Sequence, residues 1–129
     1  MLFDIHSHIL PSVDDGAQSE EEALELLKIM QSQGITHILA TPPFYPSEDS
    51  FADFAAAANQ AFELLKQKSE KLNLPKIYLG CEMLYFEGIG SSESLRKLCL
   101  NNSEFLLLEL TDECIDETLF ADIIKIRDN

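Results

Sequence analysis

Ser19-Glu20-Glu21-Glu22-Ala23-Leu24 opens, and Gly34-Ile35-Thr36-His37-Ile38-Leu39-Ala40-Thr41 closes, the stretch on which the fold turns. Ser19, with Glu22 three residues on, forms a capping box, so a helix is expected to begin there. Ala23, Leu24, Leu27 and Met30 then recur at helical spacing, and Gly34 offers a left-handed stop without a Cβ clash. Residues 35–41 change period and read as a strand, and residues 2–6, ahead of the helix, read as another. Strand, helix and strand in succession are the unit of a parallel sheet with crossover helices.

The alternation continues outward. Pro42 and Pro43 cannot donate backbone hydrogen bonds, so residues 42–50 are expected as a surface loop. Residues 51–72, rich in Ala, Leu, Glu and Lys, carry Phe54, Ala58, Phe62 and Leu65 as an apolar stripe and should form a long helix ended by residues 73–75. Residues 77–84 read as a third strand, 93–100 as a short helix, 105–110 as a buried strand and 116–127 as a last helix. No internal repeat, low-complexity tract or linker interrupts this order, so residues 1–129 read as one α/β domain of four strand-helix units. In such folds functional groups gather at the carboxyl ends of the strands.

Composition narrows the functional classes. Among 129 residues there are 9 Lys plus Arg against 23 Asp plus Glu, a net charge of −14, with 46% hydrophobic residues. That is an ordinary globular balance, which excludes disorder and collagen-like repeats. No apolar run reaches the roughly 20 residues of a membrane span, and the first residues lack a basic, apolar leader, so a cytoplasmic protein without direct membrane insertion is expected. The acidic surface repels phosphate backbones, so no nucleic-acid partner is expected. Cys81, Cys99 and Cys114 are odd in number and unpaired in spacing, which reads as reduced, packed thiols rather than a disulfide framework.

The chemistry-bearing residues fall on the expected rim. The first strand ends in His6-Ser7-His8, whose spacing in a strand puts both imidazoles on one face. Asp14-Asp15-Gly16 lies in the loop beyond, the third strand runs into Glu82, and the fourth runs into Glu109. Alone, an H-x-H is equally an incidental pair, and the other reading of Glu109 is a strand exit into solvent at Thr111 and Asp112. Yet Glu109 interrupts the apolar run Phe105-Leu106-Leu107-Leu108, where an unpaired carboxylate costs several kcal/mol and a metal ion would satisfy it. His, Asp and Glu without thiolates favour a hydrolytic manganese, iron or zinc site over a structural zinc site.

Asp4-Ile5-His6-Ser7-His8-Ile9-Leu10-Pro11 followed by Val13-Asp14-Asp15-Gly16-Ala17 resembles the amino-terminal signature of the bacterial PHP-domain tyrosine phosphatases of the CpsB/YwqE type. The likeness continues through Ser19-x-x-Glu22-Ala23, Gly34-Ile35-Thr36, Ala40-Thr41-Pro42, Gly80-Cys81-Glu82 and Leu106 to Leu110. It implies a PHP-type distorted (β/α) barrel, here a partial one of about four strand-helix units. It implies His6 and His8 as ligands of one divalent metal, usually manganese, Asp15 as a ligand of another, Glu82 as a bridging carboxylate and Glu109 completing the set. It further implies phosphotyrosine hydrolysis by metal-hydroxide attack, with no protein nucleophile, on a bacterial tyrosine kinase that controls capsular or extracellular polysaccharide synthesis. Asp14 has no ligand role in the likeness and is expected to shape the loop.

Two departures stand beside it. The family's second strand normally ends in Thr-Pro-His with that histidine a ligand, whereas this chain has Thr41-Pro42-Pro43, with Phe44 and Tyr45 expected as loop packing and His37 as a packed or hydrogen-bonded residue. The chain also stops at Asn129, about halfway through the family pattern, so it reads as truncated at its carboxyl end and lacking further ligands and phosphate-holding arginines; Arg127 reads as a solvated helix residue. Unpaired first and fourth strands would then favour a homo-oligomer, with an open four-stranded sheet bearing helices on both faces as the other arrangement. The competing functions are a catalytically inactive metal-binding or partner-binding PHP module and a PHP-type phosphoesterase acting on a small phosphate.

Overall fold

The computed structural model describes residues 1–47, 50–92, 95–111 and 115–128. Its elements run β1 (Phe3–Ser7), α1 (Glu20–Ser32), β2 (His37–Ala40), β3 (Pro43–Phe44), α2 (Phe51–Lys71), β4 (Lys76–Leu79), β5 (Glu82–Leu84), α3 (Leu95–Leu98), β6 (Leu107–Glu109) and α4 (Glu117–Asp128). Single turns of 3-10 helix occupy Ile89–Ser91 and Leu100–Asn102. All strand pairs are parallel, in two three-stranded sheets ordered β1-β2-β4 and β3-β5-β6.

The expected third strand is broken in two, and the expected second is followed at once by a further short strand. The chain passes from one sheet to the other at Thr41-Pro42 and at Gly80-Cys81, so four strand-helix units survive with a step through the middle pair. Main-chain bonds cross the step: Thr41 N donates to Ser7 O at 2.9 Å, Gly80 N to Ala40 O at 2.8 Å and Glu82 N to Pro42 O at 3.1 Å. Pro43 and Phe44 therefore belong to a strand and not to the expected surface loop. The prolines are tolerated because Pro42 contributes only its carbonyl and Pro43 opens the strand, where a missing N–H leaves no rung unpaired.

The helices form as their sequences dictate. Ser19 Oγ accepts from Glu22 N at 3.1 Å, and Glu22 Oε2 reaches back to Gln18 N at 2.8 Å, the capping box displaced by one donor. Gly34 follows with φ +89°. Ser50 caps α2 by accepting from Asp53 N. A Lys68–Glu20 ion pair joins α2 to α1. The start of the expected short helix, Glu93, lies outside the described residues, as does Cys114.

One core lies under α1 and α2. Ile38 and Ala40 of β2 and Ile77 of β4 pack with Ala23 and Leu27 of α1 and Ala58 and Leu65 of α2. Burying each of the Leu and Ile side chains contributes about 1.5–3 kcal/mol. A second cluster joins Phe44, Met83, Tyr85, Leu95, Leu98 and Leu119 at the other sheet. Among the described residues, no α-helix covers the opposite face of the first sheet: Phe3 and Ile5 are 51% and 60% exposed and, with Leu39, Tyr78, Phe105 and Leu107, line an open groove of about 610 Å³. The barrel is thus an open half with helices on one face only of its first sheet. The last strand is correspondingly half-exposed and not buried, because β6 pairs on one side alone and Phe105 at its entry is 75% exposed.

Candidate metal centre

β1 carries the first two candidate ligands to the rim, and its register explains their aim. Phe3 and Asp4 pair with His37 and Ile38, but Ser7 pairs with Ala40, so β1 holds one extra residue across Ile5 and His6. Such a bulge bends the strand and redirects a side chain. His6 then points its Nε2 to within 3.1 Å of Glu82 Oε1, and His8, one residue past the strand, places Nε2 at 3.2 Å from Glu82 Oε2. Their ring centroids are 5.4 Å apart. Glu82 is the buried member, the first residue of β5, and Pro43 of β3 is its register partner.

A second group lies on the other side of His8. Its Nδ1 is 3.4 Å from Asp15 Oδ1 and 3.6 Å from Asp14 Oδ2. The donor atoms of His6, His8 and Glu82, and separately those of His8, Asp14 and Asp15, lie within 4.8 Å of one another. Among the described residues, the ion pairs that reach Glu82, Asp14 and Asp15 come from His6 and His8 alone. Carboxylates gathered without lysine or arginine, two imidazoles and a buried glutamate, suit a borderline-to-hard divalent cation.

Of the sequence-predicted residues, His6, His8 and Glu82 meet directly and Asp15 joins through His8. Glu109 does not enter either group. It ends β6, two residues beyond the register partner of Glu82, which strand alternation places on the same sheet face. Its Oε2 is buried and, among the described residues, has no hydrogen-bond partner, and so is open to a cation.

The remaining candidates sort as their surroundings demand. His37 opens β2, at the end remote from the rim, where it stacks on Phe3 at 4.6 Å and meets the Thr36 hydroxyl at 2.8 Å. Phe44 is core, packed on Phe51 and Phe54 at 5.9 and 4.9 Å. Cys81, beside Glu82, is buried; burial first, and then the neighbouring carboxylate, push its thiol up to about 12, away from the thiolate form a nucleophile needs. Burial also raises Cys99. Sequence reasoning missed the bulge in β1 and the contact of Asp14 with His8. The doublet Asp14-Asp15 ahead of Gly16 was the available signal, but adjacency does not say which carboxylate turns inward.

Residues 2–127 match the family model for capsular polysaccharide synthesis proteins CpsB/CapC. The chain is 30% identical over 127 residues to the tyrosine-protein phosphatase YwqE of Bacillus subtilis, covering 95% of this chain and 49% of that protein. It is 38% identical over 114 residues to the putative tyrosine-protein phosphatase CapC of Staphylococcus aureus, covering 84% and 42%. A solved structure from a study of YwqE of Bacillus subtilis and CpsB of Streptococcus pneumoniae, described as metal-dependent tyrosine phosphatases, superposes with a TM-score of 0.70 at 28% identity, over 85% of this chain and 44% of that one. The chain thus spans about half the length of the relatives it matches. The parallel half-barrel and the family match over nearly its whole length agree, and the chain belongs to the CpsB/CapC family of capsular polysaccharide synthesis proteins.

Proposed function

We propose that this chain carries the amino-terminal half-site of a metal-dependent phosphoester hydrolase that dephosphorylates phosphotyrosine on a bacterial tyrosine kinase controlling capsular or extracellular polysaccharide synthesis. The observation that carries the reading is the convergence of His6 and His8 on the buried carboxylate of Glu82. These three would hold one divalent ion, manganese by the family likeness, with iron or zinc as the other cations suited to the donors. Asp15, 93% exposed beside His8, and Glu109, with its buried free oxygen, would serve further ions.

Divalent ions at such a site lower the pKa of water and polarise phosphoryl oxygens. The protein's part is to place donors. Glu82 N bonds the Pro42 carbonyl, which seats the carboxylate at the entry of β5, and Gly16 N fixes the loop that brings Asp14 and Asp15 over His8. The expected compartment is the cytoplasm. The uncovered face of the first sheet supports a homo-oligomer.

A second reading is supported by Pro43. It stands beside Glu82 where the family likeness expects an imidazole, and its ring offers no lone pair to a cation. A metal-binding or kinase-binding module without turnover would have this arrangement. Metal content by elemental mass spectrometry and manganese-dependent phosphate release from a phosphotyrosine peptide separate the two. Bound ion and turnover, both lost in His6→Ala and Glu82→Ala, support the enzyme. Bound ion without turnover supports the module, and no ion at millimolar manganese ends both.

A further inference from the structure

Asp14 and Asp15 are neighbours in sequence but not in environment. The side chain of Asp15 is 93% exposed and that of Asp14 only 3%. Asp14 Oδ1 accepts from the Gly16 amide at 2.8 Å. Its Oδ2 is buried without a hydrogen-bond partner and faces His8 Nδ1 at 3.6 Å. A buried carboxylate oxygen is costly unless a donor reaches it, and the imidazole edge is the donor at hand.

The backbone is built for this approach. Ala17 N donates to the His8 carbonyl at 3.1 Å and Ser12 N to the Ala17 carbonyl at 2.8 Å, folding residues 12–17 back onto His8. A Cβ on Gly16 would lie 2.0 Å from His8 O and 2.6 Å from His8 Cβ, so a side chain there would force the loop, and Asp14 with it, away.

We propose that Asp14 is a positioning residue: its Oδ2 receives the Nδ1 proton of His8, fixing the tautomer whose Nε2 lone pair faces Glu82 and a shared divalent ion. The inference rests on the metal-site reading above. A histidine ligand commonly donates its second ring N–H to a carboxylate, which holds the ring and raises its basicity. Asp15 Oδ1 lies nearer the same nitrogen, at 3.4 Å, but on the solvent side, where water serves it equally well. Asp14 Oδ2 is buried from solvent. The division of labour follows: Asp14 orients His8, and Asp15 stays available as a ligand in its own right.

The test uses the full chain loaded with Zn²⁺, a diamagnetic probe, and reads the His8 ring by proton–nitrogen NMR and the affinity by calorimetry. The unaltered chain is expected to show a His8 Nδ1–H resonance protected from exchange. Asp14→Asn keeps an oxygen for Gly16 N–H but turns an NH₂ donor toward His8, so the resonance should vanish and Zn²⁺ affinity fall about 10–100-fold. Asp15→Asn should leave the resonance in place. Amide spectra report whether each variant folds, and Asp14→Ser, which retains a short acceptor, replaces Asp14→Asn if that variant does not. A protected Nδ1–H that survives loss of Asp14, or that disappears with Asp15→Asn alone, overturns the proposal while the metal site stands. Absence of Zn²⁺ binding by the unaltered chain overturns both.

Discussion

His8 Nε2 stands 3.2 Å from Glu82 Oε2, across 74 positions of chain, from the exit of a strand in one sheet to the first residue of a strand in the other. Two main-chain bonds on either side of the Thr41-Pro42 step make this possible. Thr41 N holds the Ser7 carbonyl at the exit of β1, and the Pro42 carbonyl holds Glu82 N at the entry of β5. The step therefore transmits register from one sheet to the other, and the two ligands meet over it. A second bond from Ser7 N to the buried Thr41 hydroxyl, at 3.1 Å, fastens the same point.

Pro43 adjoins this junction as the register partner of Glu82. Pro43→His would place an imidazole at that edge without removing a donor, since proline has none to lose. The variant should bind more manganese per chain than the unaltered protein, read by elemental mass spectrometry after gel filtration. Unchanged stoichiometry, with an unaltered amide spectrum, would show that the β3 edge does not face the cation site.

Leu65, fully buried between α2 and the first sheet, tests the core that supports the rim. Truncation to alanine removes transfer free energy and leaves a cavity, so Leu65→Ala should lower unfolding stability by about 2–5 kcal/mol. In urea titrations the midpoint should fall at an unchanged slope. A loss below about 0.5 kcal/mol, the range of surface changes, would contradict the packing.

Asp122 of α4 anchors the segment that follows β5. Burial works against its charge, but the Gly88 amide at 2.7 Å and the Tyr85 hydroxyl at 3.2 Å donate to it and Lys125 lies at 3.5 Å, which together hold its carboxyl below the ordinary range. The native state thus binds this proton less readily than the unfolded chain. Its stabilisation is full above the ordinary carboxylate pKa of about 4 and is lost as pH falls through the lower native value. Tyr85 supplies the opposite limb: burial first, then Asp122, push its hydroxyl up to about 12, so its share is full below about 10 and is lost as pH rises toward 12. Asp122→Asn should flatten both limbs of the urea midpoint plotted against pH. Limbs as steep as those of the unaltered chain would remove the clamp from the account.

What was legible in the sequence was whatever depends on local period and local chemistry. Ser19, Glu22 and Gly34 mark α1 because a cap needs only its own turn, and the stripe from Phe54 to Leu65 marks α2 because one face repeats. His6, His8 and Glu82 were legible as strand-end residues. The step between sheets was not, because Pro42-Pro43 reads as the start of a loop and Gly80-Cys81 as the middle of one strand until their partners are known; pairing with Glu82 and Met83 is what makes Pro43-Phe44 a strand. Nor was the bulge across Ile5 and His6, since a bulge is a count of residues against a neighbour. The inward turn of Asp14 is set by Gly16 folding onto His8; the glycine marks a close approach, but residue types do not say which of the two carboxylates turns inward.

The uncovered sheet face yields the last prediction. Phe3, Ile5 and Phe105 are each more than half exposed around a groove of about 610 Å³, and apolar surface gathered in this way marks a site of association. A net charge of −14 opposes the pairing of two such chains, and salt weakens that repulsion as the Debye length falls from about 10 Å at 0.1 M to 3 Å at 1 M. Burial of the face gains from salt while repulsion loses by it, so sedimentation velocity should show association that strengthens from low to high salt. Ile5→Lys, which sets a charge in the groove, should weaken it at every salt concentration. Ile29→Lys, on the exposed side of α1, should not. A chain that remains monomeric throughout, or one that responds alike to both substitutions, would mean that this face is not the surface through which copies meet.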